Sequence, residues 1–502
     1  MSLAVVFSRA QLGVQALLVS VEAHIANGLP SLAIVGLPET AVRESKDRVR
    51  SALLNSGFDF PAKRITINLA PADLPNQGGR YDLAIALGIL AASAQIPAAP
   101  LADYEFVAEL ALSGAVRPVR GILPCALGAL GSQRQLVCAA ENGDEAALAG
   151  PAGIRIARHL HEVCSQLHDP TALPNGSPRA ADPLPPSLDM RDVRGQHHAR
   201  RALEVAASGS HNLLFIGPPG TGKTLLASRL PGILPALDDT EALETAAVTS
   251  SCRDEFDSRL WKQRPFRCPH HTASAAALAG GGSHPRPGEI SLAHNGVLFL
   301  DELAEFKRHV LEVLREPMET GKVTVSRAAR QAEFPARFQL VAAMNPCPCG
   351  YFGDPNGRCR CTPDQIARYR GRISGPLLDR IDLQVDMPRI AWRQLQEEPG
   401  ENSTTVRARV AGARGVQKQR GCLNARLPLQ QLEQVCRLQA SEQRVLEKAA
   451  ARFRLSPRAV HRVLKVARTI ADLDAQDLIQ AAHLREAIGY RCLDKSAAAH
   501  GH

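Results

Sequence analysis

Four apolar residues, Leu213-Leu214-Phe215-Ile216, run without a break into Gly217-Pro218-Pro219-Gly220-Thr221-Gly222-Lys223-Thr224, and Leu225-Leu226-Ala227 continues as the start of a helix. Few folds accommodate that order. A buried strand must deliver a glycine-rich turn onto the first turn of a helix, which predicts an α/β fold with a parallel sheet. The glycines let backbone N–H groups converge on phosphate oxygens while the helix N-terminus adds partial positive charge. Lys223 then reaches the terminal phosphates and Thr224 offers its hydroxyl to Mg²⁺. ATP with Mg²⁺ is the expected cofactor pair.

Two further strands supply the rest of such a site. Val297-Leu298-Phe299-Leu300 ends in Asp301-Glu302. At the carboxyl end of a buried parallel strand, Asp301 is placed to hold the Mg²⁺ shell and Glu302 to act as base on an attacking water. Leu340 to Met344 delivers Asn345, either to orient that water or simply to cap the turn before Pro346.

The chain has 502 residues, too many for one ordinary core. With 45% hydrophobic and 22% charged residues its balance is that of a soluble globular protein. No apolar run approaches the roughly 20 residues of a bilayer span, and the opening MSLAVVFSRA lacks a basic stretch before a long apolar one. A cytoplasmic protein without a membrane partner is expected. Residues 1–170 carry 13 basic and 15 acidic side chains, whereas residues 191–502 carry 45 against 33. The excess positive charge of the second part suits a phosphate-backbone partner, or else reflects Arg-rich codon usage.

His168 to Met190 holds six prolines and almost no large apolar residue, which predicts a linker. Upstream, residues 1–167 alternate short strands (Ser31 to Val35, Ile65 to Leu69, Phe106 to Leu112) with helices (Thr40 to Ser56, Asp82 to Ala92). Residues 191–393 alternate again. From 394 to 502 helical periodicity takes over, with Ser456-Pro457 reading as cap and first residue of a helix over Arg458 to Asp472.

Cys347, Cys349, Cys359 and Cys361 form two CxC pairs nine residues apart in a Gly/Pro/Asn-rich loop, 347–361. Four thiolates so placed fit a tetrahedral structural Zn²⁺; the alternatives are reduced free thiols or a redox-labile pair. Cys268 with His270 and His271 is no metal site on this reading, because adjacent histidines should point apart and a fourth ligand is missing.

The succession GPPGTGKT, VLFLDE, AAMNP, Leu377-Leu-Asp-Arg-Ile-Asp-Leu383 and Ser456-Pro-Arg458 resembles the AAA+ ATPases, in the branch of magnesium chelatase and the MCM helicases. With Pro287 to Gly296 ahead of the DE strand, the match is to the ComM/YifB family of magnesium-chelatase-like proteins, over nearly the whole chain. The resemblance implies three parts: a Lon-protease-like α/β domain, an AAA+ α/β core and a helical lid. It implies Arg380 as an arginine finger reaching a neighbour's site and Arg458 as the second sensor arginine, hence a hexameric ring. A local salt bridge of Arg380 to Asp379 or Asp382 is the alternative. Asp192 to Gln196 resembles the family's base-proximal box, so Gln196 is expected at the adenine, a helix entry being the alternative.

The family also implies a DNA motor, a helicase that migrates branches and promotes integration of single strands during natural transformation, with single-stranded and branched DNA as partners. Two inserts would grip the DNA: residues 266–286, ending at Arg286, and a hairpin carrying Arg327, Arg330 and Arg337, with Arg330 near its turn. Loops serving only subunit packing are the alternative. A chelatase-type ATPase subunit driving metal insertion into a porphyrin is the competing function. In the N-terminal part, the stretches resembling those of Lon proteases place Arg80 at the serine position and Leu123 at the lysine position. Neither side chain can do that chemistry, so no peptidase activity is expected.

Overall fold

The computed structural model describes residues 2–35, 39–71, 78–178, 188–252, 257–282, 285–327, 330–354, 357–390, 392–396 and 398–493. Two sheets organise them. The first has seven strands in the order Ser31–Val35, Arg64–Ala70, Gln15–Ala26, Ser2–Leu12, Tyr104–Val107, Gln135–Ala139, Ile154–Ala157. Its centre is a long antiparallel hairpin turning at residues 13 and 14, and its last three strands run parallel. Helices Glu39–Asn55 and Asp82–Ala92 form close to where the sequence places them. Asp82–Ala92 is buried on nearly every side because it lies directly on the hairpin strands.

The second sheet is parallel throughout, in the order Phe266–Arg267, Val297–Leu300, Gln339–Met344, Leu213–Ile216, Leu383–Asp386. The four-residue strand Leu213–Ile216 is fully buried between two neighbours, which is why it reads as a continuous apolar run. Parallel register brings the carboxyl ends of three strands to one edge, so Gly217, Asp301 and Asn345 emerge side by side.

The C-terminal helices share this core. Val406, Val410, Val463, Val466, Ile470 and Leu484 pack in one apolar cluster with Leu213, Phe215, Val341 and Val385. Helix Pro457–Leu473 begins as expected: the Ser456 hydroxyl accepts the Ala459 N–H at 3.2 Å and proline occupies the first turn.

The Pro-rich stretch is less free than its composition suggests. Leu173 is buried, the Ile156 N–H donates to Pro174 O at 3.1 Å and the Gly176 N–H to Ile154 O at 3.1 Å. The chain therefore continues along the sheet edge to residue 176. Residues 179–187 lie outside the described residues. Among the described residues no helix is long and apolar enough to cross a membrane.

The N-terminal part is joined to the ATPase part by direct contact. A Cβ on Gly13 would stand 3.2 Å from Glu333 O and 3.5 Å from the Phe334 ring. Leu12 and Val14 pack into the cluster that holds Ala332 and Phe334. The Ser251 hydroxyl donates to Gly13 O at 3.1 Å and the Gly121 N–H to Ser250 O at 3.0 Å.

Candidate nucleotide site

The phosphate loop follows its strand as the motif requires. Gly222 takes φ +85° and caps the helix that begins at Lys223, a backbone state in which a side chain would be strained. Lys223 Nζ donates to Gly217 O at 2.7 Å, Pro218 O at 2.9 Å and Asn345 Oδ1 at 3.2 Å. Burial lowers its pKa, and the Asp301 and Glu302 carboxylates oppose that shift. The ammonium thus sits between the loop and the third strand, at the place a terminal phosphate would take.

Thr224 Oγ1 donates to Asp301 Oδ2 at 2.6 Å. The two groups assigned to Mg²⁺ from sequence are in contact, and a hydroxyl beside a carboxylate is the donor set this hard cation takes when it also binds phosphates. Glu302 follows in the left-handed region at φ +52°, its N–H donating to Asp301 Oδ1 at 2.9 Å. Its side chain is half-exposed, and Oε2 lies 3.0 Å from His271 Nδ1. Gln196 also takes a left-handed backbone, and its Nε2 donates to Pro388 O at 2.8 Å and Thr221 O at 3.3 Å. That ties the base-proximal segment to the phosphate loop.

Arg380 and Arg458 come together elsewhere. Both line a cavity of about 390 Å³ with Glu319, Arg426, His461, Arg462 and Lys465, and none of residues 217–224 lines it. Arg380 donates to Pro376 O at 2.6 Å and to the Glu319 carboxylate, while its Nε is buried with no partner among the described residues. The local acid is therefore Glu319, because Asp382 is already taken: Arg462 Nη1 reaches its Oδ1 at 2.5 Å and His211 Nδ1 its Oδ2 at 3.3 Å. Sequence reasoning missed His461, Arg462 and Lys465. Their spacing from Arg458, at i+3, i+4 and i+7, is the signal of one helix face.

Of the two inserts, the first forms the short pair Gly280–Gly281 with Arg286–Pro287, and Arg286 is exposed. The second is the expected hairpin, Lys322–Arg327 against Arg330–Pro335, with Arg327 opposite Arg330 at its closed end. Leu278, Val323, Val325 and Phe334 place both in one apolar cluster, so the hairpins stand together. Arg337 departs from the expectation of a loop-tip cation. It lies past the foot of the hairpin, its backbone tied to His294 and Asn295, and lines a cavity with Glu319, Arg426 and Lys465.

The four cysteines converge. Their sulfurs all lie within 4.8 Å of one another, with Cys347–Cys349 at 3.3 Å, Cys347–Cys359 at 3.8 Å and Cys349–Cys359 at 3.7 Å. The Phe352 N–H donates to Cys347 Sγ at 3.3 Å. A Zn²⁺ with bonds near 2.3 Å sets tetrahedral sulfurs about 3.8 Å apart, so the quartet fits that ion. His270 and His271 differ from expectation: their rings face each other at 4.1 Å rather than diverging. Their Nδ1 atoms go to Thr272 and Glu302, and among the described residues no metal-ligating group includes them.

The Lon-like stretches form a filled site. Arg80 is buried and donates to Arg120 O at 2.5 Å, Leu123 is buried, and Gly121 beside them is bonded to Ser250 of the ATPase core.

A parallel sheet that presents a phosphate loop, an acidic pair and a polar sensor at one edge, with a helical lid packed on its core, defines an AAA+ ATPase of the magnesium-chelatase type. Residues 189–395 match the family model described as magnesium chelatase, subunit ChlI, residues 21–142 that of subunit ChlI of Mg-chelatase, and residues 400–491 that of the ChlI C-terminal region. The chain is 52% identical over 501 residues to the competence protein ComM of Haemophilus influenzae, covering 98% of each. To YifB of Escherichia coli it is 52% identical over 499 residues, 99% of this chain and 98% of the relative. Similarity to the magnesium-chelatase 38 kDa subunit of Cereibacter sphaeroides is 24% over 227 residues, 39% of this chain and 57% of that one. The chain belongs to the ComM/YifB family of magnesium-chelatase-like proteins.

Proposed function

We propose that the protein is an ATP-driven, hexameric DNA motor of the cytoplasm that migrates branches and promotes integration of single-stranded DNA in homologous recombination during natural transformation. The observation that carries this reading is the division of the nucleotide machinery. One surface holds Lys223, Thr224, Asp301, Glu302 and Asn345, while Arg380 and Arg458 line a separate cavity. Arg380, whose Nε has no partner among the described residues, stands with Arg458 in a cavity rich in cations that a neighbour's phosphates would complete by displacing Glu319, which supports hydrolysis between subunits. Within each site Glu302 takes the proton of the attacking water, Asn345 orients that water, and Lys223 with the neighbour's arginines neutralises charge on the transferred group.

The DNA part rests on different support: the positive excess of residues 191–502, the paired hairpins carrying Arg286, Arg327 and Arg330, and the name of the full-length relative, a competence protein. The chelatase alternative has the names of the three matching family models and a relative 24% identical over 39% of the chain, whereas the competence protein is 52% identical over 98% of it. The four cysteines hold a structural zinc on this reading.

Labelled three- and four-strand DNA, incubated with protein, Mg²⁺ and ATP, tests the proposal. Branch migration is expected for the native chain and lost in Lys223→Ala and Glu302→Gln, with Glu302→Gln still binding ATP because only the water-activating group has changed. Hydrolysis that forked DNA leaves unchanged, and that a porphyrin-binding partner raises, would overturn it in favour of the chelatase reading.

A further inference from the structure

The loop that carries the four cysteines also touches three parts of the nucleotide site. Its first pair follows Asn345 and Pro346 directly, at the end of the Gln339–Met344 strand. Its second pair leads into Thr362, which caps helix Pro363–Arg370 through a reciprocal bond with Gln365. Between them Gly350 has φ +82°, and a Cβ there would lie 2.8 Å from Pro219 Cδ and 3.8 Å from Asn345 Cγ. The loop therefore presses on the outer bend of the phosphate loop. The next residue, Tyr351, stacks beneath the guanidinium groups of Arg358 and Arg389, at 4.9 and 5.3 Å. Arg389 adjoins Pro388, whose carbonyl holds Gln196.

Little apolar of the loop's own fixes this arrangement. Among residues 347–361 only Tyr351 and Phe352 are large and apolar, and Phe352 lies against Arg370 at 5.2 Å. Fifteen residues rich in glycine, proline and arginine cannot bury enough surface to order themselves. The sulfur geometry supplies the missing constraint, since one tetrahedral ion would join the strand end to the helix start and hold Gly350 in register between them.

We infer that a zinc ion bound by Cys347, Cys349, Cys359 and Cys361 clamps the phosphate loop from outside, so that ATP binding and turnover at residues 217–224 depend on this metal. The inference rests on the zinc reading given above and extends it to the control of the nucleotide site. Zinc takes no part in the chemistry. It positions Pro219 and Asn345, and through them Lys223.

The test uses the full chain purified with reductant. Elemental analysis is expected to give one zinc per chain, and cobalt exchange the visible bands of a tetrahedral thiolate site. Cys359→Ser with Cys361→Ser is expected to lose the metal and to weaken fluorescent ATP binding and kcat/KM about tenfold or more while circular dichroism keeps the sheet and helix signal. Gly350→Val separates the two claims: it should keep one zinc per chain yet show a similar loss, because the new side chain meets Pro219. Zinc-free native protein with full activity would overturn both the metal and the clamp. Zinc-loaded Gly350→Val that binds and hydrolyses ATP as the native chain does would overturn the clamp and leave the metal standing, even if the serine variant fails to fold.

Discussion

His271 Nδ1 lies 3.0 Å from Glu302 Oε2, joining the first insert to the carboxylate proposed above as the base. His271 also packs edge-on against Phe306 at 6.5 Å, so the ring is held from two sides. A carboxylate already engaged by a ring N–H is a poorer base and is turned toward its donor. The insert that bears Arg286 is therefore in direct contact with Glu302.

Removing that contact should release the base. His271→Ala is expected to raise ATP hydrolysis without DNA a few-fold, since a bond of about 1 kcal/mol corresponds to a factor of about five. The same variant should narrow the ratio of DNA-stimulated to basal rate. Steady-state rates with and without forked DNA measure both, and an unaltered basal rate would show that His271 does not restrain Glu302.

The division of the site between two surfaces has a mixing consequence. Arg380→Ala alone should lose about 10³-fold in hydrolysis, as loss of a finger does in related phosphoryl transfer. Lys223→Ala alone should be inactive too. Mixed in one assembly the two should recover hydrolysis, because some junctions then pair an intact phosphate loop with an intact Arg380. Failure to recover in verified mixed assemblies would place Arg380 in its own chain's site.

Glu319 holds Arg380 in the single chain. Glu319→Gln should loosen the guanidinium and lower the protein concentration at which hydrolysis becomes half-maximal. Rate against concentration gives the comparison, and an unshifted midpoint would make the pair a bystander.

Asp382 joins the sheet to the lid through Arg462 and His211. Burial pushes its carboxyl pKa up, but the His211 bond and the Arg462 charge bring it well below the ordinary value of 3.8. A depressed folded value means that the stabilisation is complete above the unfolded pKa and is lost as pH falls below it. Asp382→Asn should cost about 3 kcal/mol at pH 7, and its difference from the native chain should shrink below about pH 4. Denaturant melts at pH 7, 5 and 3.5 follow both effects.

What was legible in the sequence follows from chemistry that is local. Gly217 to Thr224, Asp301 and Asn345 stand at strand ends, where an apolar run and a following polar residue fix position without tertiary knowledge. The Ser456 cap and the hairpin around Arg327 and Arg330 are local in the same sense. The pairing of Arg380 with Glu319 was not legible, because 61 residues separate them and two nearer acids compete in any reading of the chain. The opening hairpin is half legible: Val19, Val21, Ala23 and Ile25 alternate with Ser20, Glu22 and His24 as a strand covered on one face should, whereas in Ser2–Leu12 the buried run Ser8 to Gln11 includes three polar residues whose burial no local pattern announces. Leu173 reads as linker in the sequence because one apolar side chain among prolines says nothing of the strand edge that receives it.

The turn at residues 12–14 rests on the Arg330–Pro335 strand. Displacing that strand would therefore require either breaking this contact or carrying the N-terminal domain along with it. The buried Arg80, bonded to Arg120 O, fills the position a nucleophile would need, so what is left of that domain is a packed support for its neighbour.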